Sequence, residues 1–191
     1  MSPRWNMRVV ALLICLVVFL PCFSVHGSQD EQFPPGAQLA AFNLPGPDSA
    51  QVQAYLGLKT RDPFTISKIG AKLVYIEFLG AMCPQCHVNA PVVNKLYRVI
   101  QDDPALARDV KIIGIAVGNN RAQIEAYKKN FKVAFPIFPD EDLSISAAVG
   151  GADTPTMILV TNSGKILSSH RGVITDFDGY LKQLREFHKK Q

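Results

Sequence analysis

The segment Leu73-Val74-Tyr75-Ile76-Glu77-Phe78-Leu79 is apolar in both of its alternating sets of side chains except at Glu77, and branched and aromatic residues dominate it. An extended segment with no polar face must be covered from both sides, as the central strand of a parallel sheet is. That demand restricts the fold more than any other feature of the chain. The strand runs through the turn Gly80-Ala81-Met82 into a stretch from Pro84 to Ile100, where Val88, Val92, Leu96 and Val99 recur at three- and four-residue steps. This spacing predicts an amphipathic helix, and Pro91 inside it predicts a kink.

The remaining pattern repeats the alternation. Val110–Val117 reads as a second buried strand, Arg121–Phe131 as a helix with Ile124, Tyr127 and Phe131 on one face, and Phe135–Phe138 as a short third strand. Leu143–Val149 reads as a brief helix closed by Gly150-Gly151. Thr156–Val160 and Lys165–Ser168 flank the hairpin signal Asn162-Ser163-Gly164, and Asp176–His188 ends the chain as a helix. The order β, α, β, α, β, short α, ββ, α defines an α/β class with a central mixed sheet flanked by helices. Ahead of it, Pro34-Pro35-Gly36 and Pro45-Gly46-Pro47 mark an extended lead-in. Asp48-Ser49-Ala50 opens a short helix ended by Gly57, and Phe64 and Ile66 suggest a peripheral strand or turn.

Residues 1–27 carry two arginines, no acid and the apolar run Val9–Leu20, which is the pattern of a secretory signal cut before Ser28. The run is short for a membrane span, and left uncleaved it would tether the chain to a membrane. The domain expectation is therefore residues 1–27 as signal or anchor, 28–60 as lead-in and 61–191 as one domain. Cleavage leaves 164 residues with 18 basic against 16 acidic side chains. A balance so near neutrality gives no reason to expect nucleic acid as a partner.

Four cysteines are present, and Cys15 and Cys22 fall within or beside the signal. What remains is Cys83-Pro84-Gln85-Cys86. A bridge between these two closes too small a loop to constrain the unfolded chain much, so chemistry explains the pair better than stability does. Cys83 stands at the expected helix start, where free amides and the positive end of the macrodipole favour a thiolate. Glu77 is costly inside an apolar strand unless it is paired, solvated or protonated.

Spread along the chain, three pieces resemble the thioredoxin superfamily, in particular its exported TlpA/ResA-like members. They are Val74 to Cys86, Pro91 within the following helix, and Gly151-Ala152-Asp153-Thr154-Pro155-Thr156 running into the hairpin. The resemblance implies a thioredoxin-like fold and a thiol-disulfide oxidoreductase acting on protein thiols and disulfides outside the cytoplasm, with a redox partner protein. It makes Cys83 the attacking thiol and Cys86 the resolving one, with no cofactor beyond their redox-active disulfide. It makes Thr154-Pro155 a cis bond whose flanking backbone, with Pro84 and Gln85, meets the substrate. It gives Glu77 the part of a buried acid that moves a proton at Cys86, and it implies a monomer. Two departures stand out: Asn89 occupies a place where these relatives often carry an acid, and Met82 stands where thioredoxins tend to have tryptophan.

Two other chemistries share the motif. Cys83-Pro84-Gln85-Cys86-His87 also spells a covalent haem attachment pattern, although the α/β pattern around it is unlike a helical cytochrome. Cys83, Cys86 and His87 could also serve copper or zinc, with no fourth ligand near them. His87 is otherwise read as a first-turn residue that modulates the thiolate charge. Peroxide reduction lacks its Thr-x-x-Cys arrangement here.

Overall fold

The computed structural model describes residues 32–191. The signal or anchor reading of residues 1–27, with Cys15 and Cys22, lies outside them. Among the described residues a five-stranded sheet runs in the order β3-β2-β1-β4-β5. Its strands are β1 (Leu73–Leu79), β2 (Val110–Val117), β3 (Ile137–Asp140), β4 (Thr156–Thr161) and β5 (Ile166–Arg171). β1 pairs in parallel with β2, which pairs in parallel with β3, while β4 joins β1 antiparallel and β5 joins β4 antiparallel. All seven residues of β1 are buried, as a strand without a polar face requires.

Because side chains alternate across a strand, β1 feeds two separate cores. Leu73, Tyr75 and Leu79 pack on the side of α2 (Pro84–Asp102), α3 (Pro104–Asp109), α4 (Arg121–Phe131) and α6 (Phe177–Lys189). Val74, Ile76 and Phe78 pack on the other side, against α1 (Ala50–Leu56), α5 (Ser144–Ala148) and the lead-in residues Phe33, Leu39, Phe42 and Leu44. The lead-in is thus a structural layer, and Phe33 stacks on Phe78 with ring centroids 5.5 Å apart. Glu77 belongs to the first face, together with the helix that carries both cysteines.

Local chemistry sets the boundaries. The Ser49 hydroxyl accepts from the Val52 N–H to cap α1, and Gly57, at φ 65°, closes it in the left-handed region. Asn120 and Gln123 form a capping box on α4. Gly114 sits where β2 touches both neighbours: a Cβ there would lie 2.9 Å from Ile137 Cγ1 and 3.1 Å from Leu79 Cδ2. β3 reaches only as far back as Gly114, so the outer edge of β2 below it lacks a strand. The Tyr55 hydroxyl covers that edge, accepting from the Ile112 N–H at 2.8 Å and donating to the Ile112 carbonyl at 3.2 Å.

Several sequence expectations shift. β3 begins at Ile137 rather than Phe135, and the Phe135 side chain instead joins the core beneath the helices. Phe64 forms an isolated bridge with Leu44 ahead of a 3-10 turn at Ile66–Lys68. The helix α3 has no counterpart in the expected order, although Asp103-Pro104 begins it by accepting from the Ala105 and Leu106 N–H groups. Most consequential, α2 does not bury the stripe Val88, Val92, Leu96, Val99. Its buried face is Cys86, Asn89, Ala90, Val93, Asn94, Leu96 and Ile100, and Val88 is 63% exposed. Counting aliphatic residues alone rotates the helix away from its true face, because a cysteine and two asparagines point inward.

Candidate active site

The strand β1 ends at Leu79 and the helix α2 begins at Pro84, so the turn between them delivers the first cysteine to the sheet's C-terminal rim. Cys83 is the N-cap residue of α2, and its sulfur accepts from the Cys86 N–H at 3.4 Å. Proline follows at the first helical position, where no amide hydrogen is missed. Cys86, one turn in, is fully buried and accepts from the Gly80 N–H at 3.4 Å. The two sulfurs are free thiols.

The loop after α5 meets the motif from the other side. Thr154–Pro155 is a cis peptide, and the Cys83 thiol donates to the Thr154 carbonyl at 3.5 Å. Pro84 and Gln85 are exposed beside it, Thr154 is half-buried and Pro155 is buried. Met82, the residue before Cys83, is 75% exposed, so an apolar side chain flanks the reactive cysteine, and Val88 on α2 is 63% exposed. Four residues assigned from sequence to substrate contact therefore gather around Cys83, with Pro155 reaching it only through its neighbour.

The two thiols are electrostatically unequal. Partial burial raises Cys83, but hydrogen bonds from Cys86, from the Thr154 side chain and from the Gln85 amide outweigh it and hold the thiol below its ordinary range. Burial pushes Cys86 up to about 12, against the pull of the Gly80 amide, and the nearby charges of Cys83 and Glu77 add to the rise. Glu77 has no exposed surface. Burial pushes its carboxyl up to about 7, and the hydrogen bond from Asn89 restrains the rise. A carboxyl with that affinity takes and returns a proton near neutrality, and its charge is felt at Cys86.

Other residues complete the setting without having been assigned to it from sequence. Asn89 Nδ2 donates to Glu77 Oε1 at 3.1 Å. The Tyr127 hydroxyl donates to the Cys86 carbonyl at 3.2 Å, joining α4 to the first turn of α2. Asn119 Oδ1 accepts from the Ala81 N–H at 2.7 Å. Their only sequence signals are polar residue types inside apolar patterns, and these carry no information about partners.

His87 lies in the first turn of α2, as expected. Its ring stacks on Phe131 at 4.7 Å, and Nε2 lies 2.8 Å from the Ala81 carbonyl. Attachment of a haem to both cysteines needs both sulfurs within reach of its vinyl groups and a free histidine nitrogen for iron. Here Cys86 is buried and Nε2 is engaged. Among the described residues, no group of three or more His, Cys, Asp or Glu side chains gathers as a metal site.

A family model described as Redoxin matches residues 43–184 of this chain. The chain belongs to the Redoxin family. Within the family its likeness is to the thioredoxin-like, TlpA/ResA-type members. The thiol-disulfide oxidoreductase ResA of Geobacillus thermodenitrificans is 29% identical over 107 residues, 56% of this chain and 59% of that protein. The chain thus spans about three fifths of the length of the first of the curated relatives it matches. ResA of Bacillus thuringiensis subsp. konkukian is 22% identical over 188 residues, covering 98% of this chain and 96% of that one. Among solved structures, StoA from Bacillus subtilis superimposes with a TM-score of 0.56 at 18% identity, over 78% of this chain and 99% of that one. A thiol:disulfide interchange protein from Bacteroides sp. gives 0.60 at 16% identity, over 83% and 92%. These structures share the thioredoxin-like fold.

Proposed function

We propose that this protein is a thiol-disulfide oxidoreductase that exchanges the Cys83–Cys86 dithiol and disulfide with protein substrates. The observation that carries the reading is the inequality of the two sulfurs: one caps a helix at the surface and is held toward its thiolate, the other is sealed beneath it beside a buried acid. The Cys83 thiolate attacks a substrate disulfide, forming a mixed disulfide and releasing one substrate thiolate. Glu77 takes the proton of Cys86, whose thiolate attacks the Cys83 sulfur. The Cys83–Cys86 bond forms, the second substrate thiolate leaves, and two electrons pass from the protein to the substrate; the reverse sequence oxidises a dithiol. The backbone at Thr154 offers an edge for a substrate strand, and the exposed Met82 and Val88 suit an apolar segment of it. The reading places the protein outside the cytoplasm, free or tethered through residues 1–27, as a monomer that needs a redox partner and no organic cofactor. Its support is the signal-type composition of that segment and the likeness to ResA. Among the described residues no helix is long and apolar enough to cross a membrane.

Equilibration with glutathione buffers tests the reading. The fraction of protein carrying the Cys83–Cys86 bond, read after acid quenching by thiol alkylation and mass, is expected to follow a single two-electron curve with a potential between about −270 and about −120 mV. A pair that never closes, or that stops at a glutathione adduct of Cys83, contradicts it.

A further inference from the structure

The carboxyl of Glu77 has two oxygens in unlike surroundings. Oε1 accepts from Asn89 Nδ2 at 3.1 Å, while Oε2 is buried without a hydrogen-bond partner. The orientation of the Asn89 amide is itself determined by its other end: Asn89 Oδ1 accepts from the Ile174 backbone N–H at 3.0 Å. A backbone N–H can only donate, so an oxygen must face Ile174 and the NH2 group must face Glu77. Asn89 is fully buried, so neither of these bonds is readily exchanged for one to solvent. Oε1 is therefore the favoured acceptor whether the carboxyl is ionised or not, because a protonated oxygen accepts from the Asn89 N–H more weakly than a carbonyl oxygen does.

We infer that Asn89 is a positioning residue that assigns the exchangeable proton of Glu77 to Oε2, leaving one defined oxygen to trade protons with Cys86. The inference rests on the reading of Glu77 as the proton acceptor for the resolving thiol. In the forward direction the Cys86 S–H bond breaks, its proton reaches Oε2 by way of an intervening water, because Oε2 has no direct hydrogen-bond partner, and the sulfur keeps the electron pair with which it attacks Cys83; in the reverse direction Oε2 returns the proton by the same route.

The groups that face Glu77 leave this pathway uncontested. β2 and β4 set Gly114 and Met157 opposite it, and neither carries a charge. Tyr75 lies two residues along the same face of β1, Tyr127 comes from α4 and Tyr180 from α6. Burial raises all three phenols above their ordinary range, so none competes with the carboxyl for the proton near neutrality. Cys86 is the remaining titratable neighbour from α2, with Cys83 directly beyond it. An asparagine suits this place on α2 where a second acid would not: two carboxyls in contact would share one proton and blur which oxygen holds it.

The test separates the two sulfur steps. The reduced protein is mixed with a bis-nitrobenzoate disulfide, whose first coloured half is released by Cys83 and whose second is released when Cys86 closes the internal bond. The rate of the second phase is followed from pH 5 to 9. In the wild type it is expected to rise through an inflection that Glu77→Gln removes. Asn89→Leu deletes the donor to Oε1, and the inflection is expected to move up by about one pH unit, the scale of one lost hydrogen bond to an anion. In the wild type, the Asn89 side-chain N–H resonance is expected to move with the same inflection as Glu77 ionises, a readout that does not require the variant to fold. An inflection unmoved in Asn89→Leu, or an Asn89 amide that ignores the titration, overturns the assignment while leaving Glu77 as the base. A second phase whose profile survives Glu77→Gln overturns the base itself, and the assignment with it.

Discussion

Replacing Cys83 by serine is expected to reduce disulfide exchange on the order of 1,000-fold or more, whereas Cys86→Ser leaves the first attack intact and arrests the protein as a mixed disulfide. The difference follows from where each sulfur lies. Cys86 has no exposed surface, so no disulfide in solution can reach it until Cys83 has brought one in. Its thiol is also pushed up to about 12, so it offers almost no thiolate at neutral pH without a base beside it. Cys83 has neither handicap: it borders solvent at the head of α2 and is held below its ordinary range. Quenched reactions with a disulfide-bonded protein, resolved on a non-reducing gel, check the result. Arrested adducts in Cys83→Ser, or none in Cys86→Ser, would reverse the roles given to the two residues.

Glu77→Gln is expected to flatten part of the pH dependence of stability. The native carboxyl titrates at about 7 against an ordinary value of 4.5 because burial disfavours its charge. A raised acid keeps its proton in the native state while the unfolded chain has already lost it, so stability falls as pH rises through the window from about 4.5 to about 7. Below that window both states are protonated and the ionisation of Glu77 costs nothing; above it the full penalty, on the order of 3 kcal/mol, is in place. Glutamine keeps an oxygen for Asn89 and carries no charge, though its amide leaves a buried donor where Oε2 was. That cost is the same at every pH, so the informative quantity is the change in the difference between variant and wild type. For a chain of this size the difference in Tm is expected to grow by roughly 6 to 12 °C between pH 4.5 and pH 8 in favour of the variant. A constant difference across the range would mean that Glu77 is not held protonated by burial.

The features legible from the sequence are those decided by neighbours along the chain. β1 is recognisable because seven residues with one polar side chain can only be a covered strand, and the start of α2 because Cys83-Pro84 combines a cap with a first-turn proline. The misreadings arise where partners come from far away. Val88 looks like a core residue by spacing and is exposed, while Asn89 looks like a surface residue by type and is buried against β1 and the segment before α6. Phe33, Leu39, Phe42 and Leu44 sit among prolines and glycines that read as a linker, yet they help to cover one face of the sheet, beside α1 and α5. Glu77 could be singled out as anomalous from its strand alone. What holds it, and which of its oxygens is engaged, depends on Asn89 and through it on Ile174, a contact spanning 85 positions of the chain.

Titration of the Cys83 thiolate by its ultraviolet absorbance, in reduced Cys86→Ser protein and in the wild type, addresses the whole scheme most directly. The account predicts a low inflection assigned to Cys83, below the value of about 8.5 for a free cysteine, and in the wild type a second one well above it for Cys86. A Cys83 that ionises at or above the free value would contradict the account.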